Sequence, residues 1–481
     1  MAQTNNATLL RRDLLTRLCR LMLEDNLENI DRIPVEMMPR TGKAASRCCP
    51  YKGRAILRYR IMALLGYNVA DETDELESLY NYALRALSGF DKGYGVLTVV
   101  DEACDGCVKS NYTVSNLCRG CLASHCMVSC PKGAIRMVDG KAHIDEYLCI
   151  GCGKCQQACP YHAIIYVPIP CEESCPVGAI KRGPDGKEHI DPEKCIHCGR
   201  CMTACPFGAI MYRSQIIHVL YEIKNQARPL VALVAPAIAG QFRAGFSQVR
   251  SALLKIGFSA VEQVAEGAAQ TARNEAEEWI HKNADGQPVM TTSCCPAYVS
   301  LAEKHLPNLR PLVSDTPSPM VYSAMKAREK YPEAGIVFVG PCVAKQAEAR
   351  KHGGLIDYVM TFEELGALLI ARGIDVVNEP DSSGEIPLPE TRFAMSGGVA
   401  ASVQTYLPEG AEFPHVVVDG LNRKNVALLK TLPKNKNIKG LVEVMACEGG
   451  CLAGPGALTS TETAQKLFKE NVPLPEKQWA P

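Results

Sequence analysis

The sequence predicts three kinds of structure in succession: a helical N-terminal region over residues 1–99, a cysteine-rich α+β region over 100–213, and an α/β domain over 214–481. Three observations carry this division. Apolar residues recur at helical spacing near the N-terminus, and 16 of the 24 cysteines fall between Cys104 and Cys205. Beyond them, strand-like apolar runs alternate with amphipathic helices, the pattern of a parallel sheet.

A chain of 481 residues with 47% hydrophobic content is long enough for several cores. Its 52 basic and 52 acidic residues cancel, so it shows no electrostatic footprint for nucleic acid or an anionic membrane. There is no apolar run of about eighteen residues, and the first residues lack a signal-peptide core, so a soluble cytoplasmic protein is expected. A disulfide scaffold would suit a small secreted chain, whereas these cysteines are spaced as metal ligands.

In the first region, "LLTRLCRLMLEDNL", "RAILRYRIMALLGY" and "ADETDELESLYNYALRAL" read as helices, the last with acids early and Arg85 late, as the helix dipole favours. Cys48 and Cys49 have no partners at ligand spacing and are expected to be buried small hydrophobes.

The second region repeats Cys-Pro-x-x-Ala-Ile at Cys130, Cys159, Cys175 and Cys205, which signals duplication of a small unit. Cys149, Cys152, Cys155 and Cys159, then Cys195, Cys198, Cys201 and Cys205, each spell C-x2-C-x2-C-x3-C-P. Three close thiolates cap one face of a [4Fe-4S] cube and the fourth reaches the neighbouring cube. Both segments resemble the bacterial two-cluster ferredoxins. That rule groups Cys149, Cys152 and Cys155 with Cys205, and Cys195, Cys198 and Cys201 with Cys159. The remaining eight suffice for two more cubes, as in polyferredoxin electron-transfer subunits. Extending the rule gives Cys118, Cys121, Cys126 and Cys175 for one, and Cys104, Cys107, Cys171 and Cys130 for the other. A zinc at the isolated pair Cys104 and Cys107 stays open.

In the third region, "PLVALVAP" and "AGIVFVGP" read as buried strands, "SQVRSALLKIGF" and "TFEELGALLIARG" as helices, and "EPDSSGEIPLPETR" as a surface loop. It offers five cysteines, Cys294, Cys295, Cys342, Cys447 and Cys451. Four would hold one cube, which leaves a thiol over.

The segments "TSCCPAY", "PCVAKQAE" and "EVMACEGGC" resemble, in order and spacing, the three signatures of the [FeFe]-hydrogenase catalytic domain, over roughly residues 228–460. The resemblance implies a two-lobed α/β domain with helix-flanked sheets and an H-cluster between the lobes. That cofactor is a [4Fe-4S] cube joined through a cysteine sulfur to a two-iron subsite with CO, cyanide and an azadithiolate. It implies Cys295, Cys342, Cys447 and Cys451 as ligands of the cube, with Cys451 bridging to the two-iron unit. The spare thiol, Cys294, becomes the inner proton donor and acceptor. Lys345 matches the lysine that hydrogen-bonds a cyanide and Glu348 the acid that orders it, although spacing alone makes them an exposed i,i+3 pair. Ala235, Pro236, Ser318, Phe393 and Met445 match positions that line the two-iron pocket. A proton relay is implied outward from Cys294 through Glu278, Ser314 and Glu275, with Lys282 near the mouth. From spacing alone the two glutamates are a solvated helical face. Gly340, Met320 and the tail "AGPGAL" depart from the best-known members and resemble the group B branch.

The resemblance implies an enzyme that interconverts H2 with protons and electrons. Without a Gly-rich dinucleotide fingerprint, its electrons are expected to pass to a soluble ferredoxin or similar redox partner, and its cofactor to come from hydrogenase maturation enzymes. A slow-turnover H2 or redox sensor is the alternative. Cluster carriers resembling the Narf-like proteins fit less well, because Cys294, Lys345 and Cys451 are retained.

Overall fold

The computed structural model describes residues 5–40, 49–89, 95–108, 111–381, 388–435 and 437–472. Its C-terminal half has two lobes, each built on an all-parallel sheet. One sheet runs in the order Ala260–Gln263, Leu230–Val234, Gly335–Gly340, Tyr358–Thr361; the other runs Val289–Thr291, Gly440–Met445, His415–Asp419. Leu230–Val234, Gly335–Gly340 and Gly440–Met445 are buried at every position, as strands covered on both faces must be. The expected helices form at Phe246–Ile256 and Phe362–Arg372. The second starts with a capping box between Thr361 and Glu364 and stops at Gly373 in the left-handed region.

The cysteine-rich region is two ferredoxin-like units, one nested inside the other. Leu97–Val99 pairs antiparallel with Ile210–Tyr212, which brings Cys104 and Cys107 to the far end of the region, and the hairpin Ile180–Arg182/Glu188–Ile190 belongs to the same unit. Between these parts, Tyr112–Val114 pairs with Ile164–Tyr166 around the hairpin Ile135–Val138/Lys141–Ile144. The inner stretch of sequence is therefore a complete unit inserted into its neighbour.

The N-terminal helix Asn6–Leu23, capped by Asn5, packs against Phe362–Arg372 of the catalytic half. Arg11 reaches Glu363 with two bonds of 2.8 and 3.0 Å, and Arg12 adds a third of 3.1 Å. Close by, Tyr212 shares a 3.1 Å hydrogen bond with Thr361, and Ser214 donates to Glu364.

Three expectations for these elements need correction. "ADETDELESLYNYALRAL" is α-helical only over Leu79–Leu87, after a 3-10 turn at Val69–Asp71, because Ser78 accepts from the Asn81 amide and the Asp31 carboxylate takes the amides of Leu79 and Tyr80. Cys49 is half-buried and caps the helix Pro50–Leu64 through the Lys52 amide, so it is no core residue; Cys48 lies outside the described residues. The "surface loop" is exposed at Pro380 and Asp381 but buried from Glu390 on, within a 3-10 turn, Pro389–Ala394, packed on Gly398–Gln404, while residues 382–387 lie outside the described residues. Among the described residues no helix is long and apolar enough to cross a membrane.

Glu363 is 1% exposed and Arg11 6%, so removing one partner strands a buried charge. Glu363→Ala should lower unfolding stability by about 3–5 kcal/mol in denaturant titrations. A loss under about 1 kcal/mol, the range of surface pairs, would contradict the arrangement.

Candidate metal centres and proton path

The nested topology decides which cysteines meet. Cys118, Cys121, Cys126 and Cys159 line one small cavity, and Cys126 lies within Coulombic reach of Cys121 and Cys159. Cys155 is close to Cys149 and Cys152, and Cys130 lies in the apolar cluster shared by cysteines of both inner sets. In the outer unit, Cys171 feels Cys104, Cys107 and Cys205, while Cys201 feels Cys175, Cys195 and Cys198. The crossing rule thus holds, but within each unit. Three expected fourth partners are corrected by proximity: Cys159 joins the 118–126 set, Cys205 the set of Cys104, Cys107 and Cys171, and Cys175 the 195–201 set, which leaves Cys130 by elimination for the 149–155 set. Pairing the two regular motifs with each other failed because the insertion separates true halves in sequence.

Each repeat ends in the same local device. The amide of the alanine four residues on donates to the cysteine sulfur at Cys130, Cys159, Cys175 and Cys205, at 3.3, 3.4, 3.2 and 3.4 Å. Four equivalent N–H···S contacts suit thiolates rather than thiols. Among the described residues no three His, Cys, Asp or Glu side chains converge tightly enough for a single ion. Sets of four cysteines around a wider space fit a cube.

The catalytic half gathers its chemistry where strands end, as open parallel sheets do. Ala235 and Pro236 follow Leu230–Val234, Cys342 follows Gly335–Gly340, Cys294 and Cys295 follow Val289–Thr291, and Cys447 and Cys451 follow Gly440–Met445. Cys447 lies within reach of Cys295, Cys342 and Cys451. Burial raises the thiol of Cys342 to about 11 and that of Cys451 to about 12. Against that, amides at two helix starts point at sulfur: Ala297 and Tyr298 at Cys295, Ala344 and Lys345 at Cys342. Buried thiols beside such donors, and beside a cation, are a seat for an iron cube.

That cation is Lys345. It is 9% exposed, so the reading as a solvated pair is set aside. Its Nζ donates to Glu348 at 2.6 Å, Ser318 Oγ at 3.2 Å and the Cys294 carbonyl at 3.4 Å. Cys294, Phe393 and Met445 meet in one buried cluster, and Ala235 and Ser318 are buried as well. The departure at Gly340 has a steric reason: a Cβ there would lie 2.5 Å from the Phe338 ring and 3.2 Å from Ala235. Met320 is fully buried at the start of Pro319–Lys330.

The two glutamates occupy one face of the helix Val264–Ala284, but their order is the reverse of that expected. Glu275 is completely buried within Coulombic reach of Cys294, whereas Glu278 sits outward. Glu275 accepts from the Ser293 amide at 3.0 Å, and the Ser293 hydroxyl, 3.3 Å from the same carboxyl oxygen, donates to the Thr316 carbonyl at 2.5 Å. Glu278 accepts from Ser314 at 2.5 Å and Thr316 at 2.9 Å, and pairs with Lys282 at 2.6 Å. The i,i+3 offset fixes a shared face without saying which end points inward. Burial raises the Glu275 carboxyl to about 8, while Lys282 and Ser314 hold that of Glu278 below its ordinary value despite its partial burial. Sequence reasoning missed Ser293, Thr316 and Glu443. The last is a fully buried carboxyl in an apolar strand, raised by that burial to about 7, and it takes the amides of Gly397 and Ala400. A lone acid inside "LVEVM" was the available signal.

A cysteine seat between two parallel-sheet lobes, beside four ferredoxin-type ligand sets, defines an iron–sulfur protein of the redox class. Residues 228–455 match the iron only hydrogenase large subunit, C-terminal domain, and residues 142–165 and 188–211 match the 4Fe-4S binding domain. Residues 228–455 thus form an [FeFe]-hydrogenase catalytic domain, the domain of the H-cluster, and the region before it carries accessory [4Fe-4S] motifs. It is 29% identical over 372 residues to the periplasmic [Fe] hydrogenase large subunit of Nitratidesulfovibrio vulgaris, covering 65% of this chain and 85% of that one. It is 26% identical to iron hydrogenase 1 of Clostridium pasteurianum, covering 51% of this chain and 52% of that one. A solved variant of [FeFe]-hydrogenase HydA1 from Chlamydomonas reinhardtii is 22% identical, with a TM-score of 0.45 over 54% of this chain and 91% of that one.

Two outcomes follow from the geometry. Cys159→Ser should perturb the same cluster signal in electron paramagnetic resonance as Cys121→Ser; a shared signal with Cys195→Ser instead would restore the rejected pairing. Glu275 keeps its proton to about 8 when folded, against 4.5 for an ordinary glutamate. Its contribution to stability is therefore complete below 4.5 and is lost as pH rises through 8, at about 1.4 kcal/mol per unit. Glu275→Gln should flatten that slope in urea titrations of the unloaded protein, and an unchanged slope would place the proton elsewhere.

Proposed function

We propose that this protein interconverts H2 with protons and electrons, passing electrons through its [4Fe-4S] clusters to a soluble partner of the ferredoxin type. The observation that carries the reading is the division of labour at one strand end: Cys295 faces the cysteine seat while Cys294 stands within reach of the buried Glu275. The H-cluster, when bound, supplies the site at which H2 is split or formed. Cys295, Cys342, Cys447 and Cys451 would hold it. Lys345, fixed by Glu348 and Ser318, supplies a buried positive charge and donor toward the same space.

The chain's remaining task is to move protons through a dry shell. Cys294 is the inner group, Glu275 the next, and Glu278 with Ser314 the outer pair, with Lys282 at the end toward solvent. Ser293 steadies Glu275 through its amide, and its own hydroxyl is held by the Thr316 carbonyl. A carboxyl raised to about 8 gives and takes protons near neutral pH, as general acid–base transfer requires. The other pole is the cysteine set of Cys175, Cys195, Cys198 and Cys201, of which Cys198 lies within Coulombic reach of Cys447. Electrons thus reach the cysteine seat by way of Cys447 and protons by way of Cys294.

The test is infrared spectroscopy after production with the maturation enzymes. Cys451→Ser should lose the iron-bound CO and CN bands while accessory clusters persist. Cys294→Ala and Glu275→Gln should keep the bands and lose turnover by about 10²–10⁴-fold. A Cys294→Ala protein evolving H2 at the parent rate would overturn the proton route.

A further inference from the structure

Resting on that reading, we infer that Arg12 is a positioning residue for electron transfer. From the N-terminal helix it fixes the seam between the catalytic cube's seat and the nearest accessory cluster. The seam is the short tail Gly454–Leu458 directly after the ligand Cys451. On one side it lies against the loop of Cys342: the Gly456 amide donates to the Pro341 carbonyl at 2.8 Å, and a Cβ at Gly454 would come within 2.6 Å of that same oxygen. On another side it meets the accessory set. Gly199, between Cys198 and Cys201, has φ +75°, and a Cβ there would lie 2.7 Å from Pro455 and 3.1 Å from Val343. One stretch of backbone therefore touches the neighbours of ligands from both metal seats.

What holds that stretch comes from far away in sequence. Arg12 donates from one guanidinium nitrogen to the carbonyls of Ala457 at 3.1 Å and Leu458 at 3.0 Å, and from Nε to Glu363. Glu363 returns to the tail by its own amide, which donates to Gly456 O at 3.0 Å. Thr16 bonds the Arg12 carbonyl at 2.9 Å, one turn along the helix. Glu363 is already matched by both nitrogens of Arg11. Gln241 keeps the Leu458 amide at 2.7 Å, so loss of Arg12 loosens the tail at the Ala457 and Leu458 carbonyls without leaving the carboxylate unpaired, which makes Arg12 the informative residue and Glu363 the disruptive one.

The experiment compares the full-length parent with Arg12→Ala and Arg12→Lys. In protein made without maturation enzymes, hydrogen exchange over residues 452–460 should speed up by about ten- to a hundredfold in Arg12→Ala, the loss of charge-assisted bonds to two carbonyls. Arg12→Lys should recover part of it. In loaded protein the CO and CN bands and the isotope exchange between H2 and D2O, which needs no electrons from the relay, should match the parent. The rate at which H2 reduces the accessory clusters, followed by freeze-quench paramagnetic resonance, should fall at least about tenfold. Unchanged tail exchange, or isotope exchange lost together with the relay, would overturn the role. A loaded parent with no isotope exchange at all would instead overturn the hydrogenase reading, so the two failures are separable.

Discussion

Burying thiolates is the constraint on which this architecture depends. A cysteine sulfur in a low-dielectric interior keeps its proton, as the raised thiols of Cys342 and Cys451 show, unless donors or cations offset the charge. The chain meets this with backbone rather than side-chain charge. An alanine amide serves each of the four Cys-Pro repeats, and helix starts serve Cys295 and Cys342. Because backbone donors lie at turns and helix N-termini, the ligands must sit where strands end. This is why both metal seats are built from loops carried by otherwise ordinary sheets. The catalytic seat adds a buried cation, Lys345, whose Nζ also reaches the carbonyl of the spare thiol's residue, Cys294.

Much of this was legible in residue order. The strands Leu230–Val234 and Gly335–Gly340 are apolar runs long enough for one covered strand, and the ligand spacings are local properties. What could not be read were relations between distant segments. The four cysteine halves look alike, so nothing in their spacing says that Cys104 and Cys107 belong with the halves at the far end of the region. Only the ladder between Leu97–Val99 and Ile210–Tyr212 does. Likewise Glu275 and Glu278 share a helical face, yet which is inner depends on the approach of Ser293 on one side and Ser314 with Lys282 on the other.

The nesting has an energetic logic. A ferredoxin unit is too small to bury a large core, and its clusters stand in for one. The inserted unit is the more exposed, with Cys152 on the surface, whereas Cys195, Cys201 and Cys205 of the outer unit join the main core. The unit next to the catalytic half is thereby held by protein packing. The inserted one has a small cluster around Ile135, Ile144 and Ile164, in which the cysteines themselves are much of the packing.

The N-terminal helices complete that packing. Arg11 and Glu363 form a buried pair, and such pairs seldom stabilise more than apolar contacts would; their strength is in fixing one geometry. Here the fixed element is the helix Phe362–Arg372, whose first turn also receives Ser214, from the segment leaving the cluster region, and touches the tail after Cys451. Three regions that the sequence sets out in series therefore converge on the first turn of a single helix. A relay between two cubes is sensitive to their separation and not to the identity of the packing around it. A directional polar hub at that convergence specifies the separation more tightly than an apolar contact, which would tolerate sliding.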